Sequence, residues 1–246
     1  MFVQEPYERL LSGYVDKLFS PNVAFWDVIG KFVASNFRIN PSPMSSECGH
    51  DITFKEFARY CVHFQLTNER RESHFLPSFE PCSPCEIDYD YIGKLETFED
   101  DSLFLRHKFN ISDKDKLDDF KSVTERDAIV DVADYVFAMK APIVKCMSFS
   151  EALFRCLRKL QIRGIVSKHV QYPFPLNVER NININEFKGA MLDLHAISGP
   201  SEERFQNRQE AFIEAYFSLP LNLMVNVRQP CSLMLPCLAT NSFLPL

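Results

Sequence analysis

The strand, turn and helix predicted for the N-terminus constrain the fold most. Residues 1–3 (MFV) have the apolar character of a buried strand, and Pro6 stands at a favoured first position of a helix. Apolar residues then recur with the 3.6-residue period of an amphipathic helix, at Tyr7, Leu10, Leu11, Tyr14 and Leu18. The chain is therefore predicted to enter its core as a strand and to turn directly into a helix.

The rest of the chain is predicted to be mostly helical. Further helices are expected at 23–36, 53–64, 95–104, 124–138, 149–161, 185–196 and 201–218. The alternating segment Glu86–Tyr91 predicts a short strand. The connections are predicted as a polar loop at Pro41–Asp51, irregular structure at 66–86 and a charged, solvated segment at 113–121. The boundary at Arg228 separates a domain over 1–228 from the uncharged tail 229–246.

Composition excludes several classes of protein. Hydrophobic residues make up 46% of the 246, which is typical of a globular chain. The net charge of -6 argues against a nucleic-acid partner, because phosphate-tracking surfaces are usually basic. No apolar run is long enough for a membrane span, and the start lacks the pattern of a signal peptide. By itself, this composition predicts a soluble cytosolic protein.

The eight cysteines leave two interpretations open. Scattered buried thiols in a reducing compartment are the simpler one. Cys82 and Cys85 form a CSPC pair, whose spacing is typical of metal ligands or a redox pair. No second CxxC and no HxxxH follows, so a four-ligand zinc site is not predicted, and a small metal-binding module is the least favoured alternative. The sequon at Asn110 fits a secretory protein.

Two candidate sites follow from the residues alone. The N-terminus of the first helix is an anion site in principle, and Arg9 and Ser12, three residues apart, share a helix face that suits a phosphate. Spacing alone favours the alternative that Arg9 pairs with Asp16 or with another carboxylate. His74 is the second candidate, as a catalytic base, although a lone histidine before apolar residues is more often structural. The motifs GxSxG, HExxH, GxGxxG and the P-loop are absent from the sequence.

Two long motifs are more specific. FVQEPYERLLSGYVDKL resembles the 3′-phosphate-binding motif of Golgi carbohydrate sulfotransferases of the chondroitin 4-O- and HNK-1 type, a pattern close to FVRxPFxRLxSAYRDKF. CSPCEIDYDYIGKLETFEDD resembles a second hallmark of that family, CxPCxIxYDxIGKxETLxxD. His74 to Pro77 stand where the family usually has HWxP. The resemblance covers about residues 2–228.

The resemblance implies an activity, a compartment and a fold. Members of this family transfer sulfate from 3′-phosphoadenylyl sulfate to a sugar hydroxyl of a glycan or proteoglycan, without a metal. They are type II Golgi membrane proteins with a lumenal catalytic domain, so Asn110 is an expected glycosylation site. Because the lumen is oxidising, a Cys82–Cys85 or another disulfide is expected, with the connectivity open. The fold expected is α/β, a partial P-loop-like domain around a short parallel sheet, predominantly helical in this portion.

The same resemblance assigns the cofactor-binding residues. Gln4 to Ser12 is the segment expected to hold the 3′-phosphate, and Arg9 and Ser12 match the family motif. Gln4 occupies the position of the first arginine, and Val15 also replaces an arginine. Glutamine donates only a neutral hydrogen bond, so weakened phosphate binding is expected.

One family motif has no counterpart in these 246 residues. The 5′-phosphosulfate loop, close to PKVGCTNWK, is expected well upstream of the 3′-phosphate motif, as is the membrane anchor, and the tail lacks the usual acidic-aromatic ending. The chain is therefore interpreted as an N-terminally truncated sulfotransferase domain. Its uncharged end suggests an altered 3′ end, a splice form or an error in the gene model. The alternative is an inactive fragment or splice form that acts as a non-catalytic binding protein.

Overall fold

A computed structural model describes residues 1–67, 69, 72–111, 117–175 and 181–232. The strands are β1 (Phe2–Val3) and β2 (Gly93–Lys94). The helices are α1 (Pro6–Tyr14), α2 (Val23–Phe25), α3 (Lys31–Phe37), α4 (Pro43–Cys48), α5 (Phe54–Thr67), α6 (Phe79–Cys82), α7 (Phe98–Lys108), α8 (Leu117–Ala138), α9 (Lys140–Ile143), α10 (Phe149–Ile162), α11 (Ile184–Ala196), α12 (Ser201–Phe217) and α13 (Leu221–Ser232). Shorter helical turns are π-helical at Val15–Phe19 and Trp26–Gly30 and 3₁₀ at Ser73–Phe75.

β1 and β2 form a parallel pair, with Phe2 opposite Gly93 and Val3 opposite Lys94. The N-terminal ammonium extends this pairing by donating to the Tyr91 carbonyl at 2.7 Å. A small parallel sheet among many helices confirms an α/β arrangement that is predominantly helical. The predicted strand at Glu86–Tyr91 is wrong, because turns and irregular backbone occupy that segment and the pairing partner of β1 lies just after it.

Periodicity predicted most of the helices. α1 and its π-helical extension cover the amphipathic stretch after Pro6, while α8, α10, α11 and α12 confirm the predicted helices in the second half of the chain. α10 illustrates why the periodicity of apolar residues predicts a helix. Ser148 caps it by accepting from the Glu151 amide at 3.1 Å, and Leu153, Cys156, Leu157 and Leu160 form its buried face.

Other boundaries differ from the prediction. The polar loop predicted at Pro41–Asp51 contains α4, which starts at a serine cap and a proline, and the irregular region 66–86 contains α6 and the 3₁₀ turn. α7 runs to Lys108. Of the charged connection predicted at 113–121, residues from Leu117 onward belong to α8, and the rest lies outside the described residues. α13 spans Leu221–Ser232 and so includes Arg228. The division of the chain into a domain over 1–228 and a tail over 229–246 stays a prediction.

A single hydrophobic cluster joins the helices around Leu18, Val33, Phe57, Ile129, Leu153 and Phe187, each fully buried. The only tryptophan, Trp26, is 1% exposed, and its indole Nε1 donates to the Leu18 carbonyl at 2.9 Å. That hydrogen bond leaves no unpaired donor in the core at Trp26. The cluster links the N-terminal helices to α8, α10 and α11.

Gly30 and Gly49 make a close backbone crossing between the end of the second π-helical turn and the end of α4. A Cβ placed on Gly30 would lie 2.1 Å from the Gly49 oxygen, and one on Gly49 would lie 2.2 Å from the Lys31 nitrogen. Gly49 also has a φ of 61°, in the left-handed region that favours glycine. Both glycines are therefore required by the space available, and Gly49 by its conformation as well.

Arg38 joins α3 to the start of α5. Its guanidinium donates to Asp51 at 2.7 Å and to both carboxylate oxygens of Glu56 at 2.7 and 2.8 Å. Burial opposes ionisation of Asp51 and Glu56, but hydrogen bonds from Arg38 and its neighbours hold the pKa of both carboxyls below the usual range. This bidentate arrangement fixes the corner that precedes α5.

Cys48 and Cys146 form a disulfide across 98 residues of sequence, with their Cα atoms 5.6 Å apart. Cys85 is also disulfide-bonded, whereas Cys82 is a free thiol, so the predicted Cys82–Cys85 bond is wrong. The other expectation, a disulfide between different cysteines, is confirmed by the bond between Cys48 and Cys146. The expectation of buried thiols also holds for Cys61 and for Cys156 in α10.

Candidate functional site

Two adjoining clefts lie along α8. The first, of about 350 Å³, contains Gln4 and Ser12. The second, of about 550 Å³, extends toward the π-helical turn that follows α1. Thr124, Ala128 and Arg163 line both. Because they share a wall, molecules bound in the two clefts would be neighbours.

The start of α1 is fixed by carboxylates. Glu5 caps the helix by accepting from the Glu8 amide at 2.8 Å, and the Glu5 amide donates to Glu96 at 2.8 Å. Burial raises the pKa of Glu5, and hydrogen bonds from the backbone amides of Glu8 and Tyr7 offset part of that rise. The Glu8 amide, which could otherwise donate to an anion at this helix N-terminus, therefore already donates to the Glu5 carboxylate. Any phosphate here would be held mainly by side chains in the first cleft.

The structure brings Gln4 and Ser12 into one cleft but places Arg9 elsewhere. Arg9 donates to the Leu76 carbonyl at 3.2 Å and lines a cavity of only about 40 Å³. The alternative pairing of Arg9 with Asp16 is wrong, because Asp16 pairs with lysines instead. Arg9 is thus a link between α1 and the segment after the 3₁₀ turn, and its assignment to the cofactor stays a prediction.

His74 lines the same small cavity as Arg9. Its Nδ1 lies 2.7 Å from a carboxylate oxygen of Glu72, and its ring packs edge-on against Phe25. Its side chain is 53% exposed. The structure therefore does not bring His74 into the cleft that holds Ser12, and a role as base stays a prediction.

Arg163 is the cation that sequence reasoning did not find. In the first cleft, Glu8 pairs with Arg208, and Glu125 pairs with Arg204 at 2.7 Å. Across the described ranges Arg163 has no ion-pair partner, so it is available to an anion. A charged residue followed by Gly164 was the visible signal for a helix end, but only the fold shows that this end reaches the residues of the N-terminal motif.

The second cleft combines opposite charges and an aromatic ring. Lys159 in α10 contacts Asp16 at 2.5 Å, and Lys17 contacts the same carboxylate at 2.9 Å. Burial opposes ionisation of Asp16, but the two lysines outweigh it and lower its pKa to about 2. The wall formed by α8 contributes Asp131 and Tyr135.

Asn110 lies on the exposed turn after α7, with a φ of 51° that asparagine tolerates well. Its position is accessible, but glycosylation stays a prediction, because Ser112 of the sequon lies outside the described residues. Within the part of the chain that the structure describes, no group of three or more histidine, cysteine or acidic side chains is arranged to hold a metal. In that same part, no helix is both long and apolar enough to cross a bilayer.

Comparison with known proteins identifies the class. The model of the sulfotransferase family matches residues 1–132, more than half of the chain. The chain therefore belongs to the sulfotransferase family. The match includes the N-terminal motif that begins at Phe2 and the segment from Cys82 through Asp101.

The similar proteins specify the kind of sulfotransferase. Carbohydrate sulfotransferase 8 of Mus musculus is 39% identical over 106 residues, which cover 42% of this chain and 25% of that protein. Carbohydrate sulfotransferase 14 of Danio rerio is 37% identical over 105 residues, covering 43% of this chain and 28% of that protein. Carbohydrate sulfotransferase 11 of Rattus norvegicus is 34% identical over 115 residues, covering 46% and 32%. These similarities confirm the resemblance to the carbohydrate sulfotransferase family, whereas the subtype stays a prediction.

The chain spans about a quarter to a third of the length of these curated relatives. No solved structure is detectably similar to it.

Proposed function

We propose that the chain carries the 3′-phosphate half of the co-substrate site of a carbohydrate sulfotransferase. The enzyme transfers sulfate from 3′-phosphoadenylyl sulfate to a hydroxyl of a glycan or proteoglycan. The observation that supports this most is the family match over 1–132, together with the cleft in which Gln4 and Ser12 of its motif meet. Residence on the lumenal side of the Golgi membrane and membership of a P-loop-like fold are part of the same proposal.

The residues of the first cleft fit a phosphate. Ser12 offers a hydroxyl, Gln4 an amide donor, and Arg163 a guanidinium with no partner among the described residues. Arginine suits phosphate because its planar donors can bind two oxygens at once. Arg208 lines the cleft too, but its charge is compensated by Glu8. Arg163 therefore supplies the charge that position 4 lacks.

Gln4→Arg is expected to tighten the binding of adenosine 3′,5′-bisphosphate by about five- to tenfold, because a charge-assisted bond replaces a neutral one. Isothermal titration calorimetry on the purified 1–246 protein measures this. Gln4→Glu is the matched control and should weaken binding, since it places a carboxylate beside the phosphate. Equal affinities of the parent and both variants would show that Gln4 does not contact the phosphate.

Arg163→Gln is expected to weaken the same binding by about tenfold or more, because a net charged hydrogen bond contributes about 1.5–3 kcal/mol. Arg158→Gln is the control within α10, the helix that ends just before Arg163, since Arg158 donates to Gln161 at 2.8 Å and lines neither cleft. Adding Gln4→Arg to Arg163→Gln should recover part of the loss. If Arg163→Gln and Arg158→Gln bind alike, Arg163 is not a phosphate ligand.

Binding and sulfate transfer should separate in this chain. Holding and polarising the transferring group depends on pre-positioned charge, as in phosphoryl transfer, and no segment of the sequence matches the phosphosulfate loop. The proposal is therefore tested by nucleotide binding rather than turnover. Absence of any measurable affinity for adenosine 3′,5′-bisphosphate would refute it. The non-catalytic alternative gains no support from the comparisons.

A further inference from the structure

We propose that the second cleft along α8 binds an uncharged sugar unit of the acceptor, an inference that rests on the proposed function. This cleft, of about 550 Å³, has a volume within the usual range of ligand sites. It shares Thr124, Ala128 and Arg163 with the cleft assigned to the nucleotide phosphate. Sulfate transfer needs the acceptor beside the co-substrate. A third cleft, of about 430 Å³, also adjoins the phosphate cleft, through Leu95, Thr124 and Glu125. The second cleft is preferred for the groups that α8 presents in it.

One face of α8 presents sugar-binding groups at helical spacing. Asp127, Asp131 and Tyr135 follow one another at intervals of four residues, so they lie on the same side of the helix, and all three line the cleft. The two oxygens of a carboxylate can accept hydrogen bonds from two adjacent sugar hydroxyls at once. The face therefore offers two acceptors followed by an aromatic ring.

The two carboxylates are available to a ligand. Asp127 and Asp131 are exposed, and within the described ranges neither side-chain carboxylate has an ion-pair or hydrogen-bond partner. The neighbouring Asp134, which does not line the cleft, is by contrast paired with Lys188 at 2.7 Å. Free carboxylates in a cleft wall repel an acidic sugar and accept hydrogen bonds from a neutral one.

Tyr135 supplies an apolar surface at the end of this face. It is 40% exposed, and its hydroxyl donates to the Asn22 side chain at 3.1 Å, which holds the ring in place. An aromatic ring fixed in this way can pack against the C–H face of a sugar with little loss of side-chain entropy.

The positive charges of the cleft point to the same ligand. Lys17 and Lys159 share Asp16, so two of its cations are already neutralised in part. Arg163, the one lining cation without a partner among the described residues, stands at the boundary with the first cleft. The free positive charge is therefore beside the nucleotide, and the free negative charge faces the acceptor.

A binding experiment on the 1–246 protein saturated with adenosine 3′,5′-bisphosphate tests the inference. N-acetyllactosamine serves as the neutral probe and a hyaluronan tetrasaccharide as the acidic one, with dissociation constants from NMR titration. We expect the neutral probe to bind more tightly. Asp131→Asn and Tyr135→Ala should each weaken it by about five- to tenfold, whereas Tyr135→Phe, which keeps the ring, should retain most of the affinity. Asp134→Asn is the matched control and should bind as the parent does.

The outcomes separate this inference from the proposed function. Nucleotide affinity should be unchanged in Asp131→Asn and Tyr135→Ala, and its retention shows that these variants are folded. If saccharide binding is absent, equally strong in every variant, or tighter for hyaluronan, the acceptor assignment is overturned while nucleotide binding stands. If nucleotide does not bind but the neutral saccharide binding depends on Tyr135, the proposed co-substrate site fails and the saccharide site is supported. Should Asp131→Asn not fold, the Tyr135→Ala and Tyr135→Phe pair decides.

Discussion

Gly49→Ala is expected to lower the free energy of unfolding by about 2–5 kcal/mol, the sum of a left-handed backbone cost and forced overpacking. The new Cβ would lie 2.2 Å from the Lys31 nitrogen and 2.4 Å from the Trp26 oxygen, both backbone atoms that cannot turn away. Separating them would pull α4 from the second π-helical turn. Since a domain of this kind is stable by only about 5–15 kcal/mol, the loss is a large share of the total.

Gly189→Ala is the matched control for this prediction. Gly189 lies inside α11, and apart from its chain neighbours and the adjacent helix backbone no atom would come within 4 Å of its added Cβ. Because alanine favours a helix over glycine, this variant should be as stable as the parent or up to about 1 kcal/mol more stable. Urea unfolding followed by circular dichroism measures both. A Gly49→Ala protein within about 1 kcal/mol of the parent would contradict the close crossing.

Replacing both Cys48 and Cys146 by alanine is expected to cost about 4–5 kcal/mol. The bond closes a loop of 98 residues, and the chain-entropy model gives about 4.7 kcal/mol for a loop near that length. The unfolded chain gains freedom when this link is removed, and the contact between α4 and the turn after α9 then depends on packing alone. Chemical denaturation of the oxidised parent and of the double variant measures the difference.

Cys82→Ala controls for the loss of a thiol, since Cys82 is free and should change stability little. A reducing agent should destabilise the parent more than the double variant. The shift that remains in the double variant reports the separate bond of Cys85. Equal shifts in both proteins would show that Cys48 and Cys146 contribute nothing in solution.

The helices could be predicted because their information is local. α10 has an apolar stripe and a serine cap within its own sequence, and it appears almost where the period placed it. α4 was missed because it is short and lies among prolines and serines that also favour turns. Its stability comes from contacts outside the segment, including the crossing at Gly49.

Pairing over long distances could not be predicted from spacing. Glu86–Tyr91 has the alternation of a strand. The segment that pairs with β1 is instead determined by the tertiary fold, which places Gly93 beside Phe2. The CSPC spacing likewise favoured a local bond, whereas the fold brings Cys48 to Cys146. A local pattern contains no information about which distant residue arrives beside it.

The candidate site divides in the same way. The N-terminal motif identified Gln4 and Ser12, and the structure puts both in one cleft. The motif also predicted Arg9 as a phosphate ligand, but in the structure Arg9 donates to the Leu76 carbonyl and does not line that cleft. Arg163 and Tyr135 lie beyond the residues that the family model matches, so their place in the clefts depends on the tertiary packing of α8 and α10.

The position of the Cys48–Cys146 bond also has a consequence for biosynthesis. A ribosome adds about 5–20 residues per second, so Cys146 is made roughly 5–20 s after Cys48. Cys61, Cys82 and Cys85 are made in that interval. In an oxidising compartment each could pair with Cys48 before its native partner arrives. Exchange by a thiol-disulfide isomerase would release such bonds, so adding one during oxidative refolding is expected to raise the yield of folded protein.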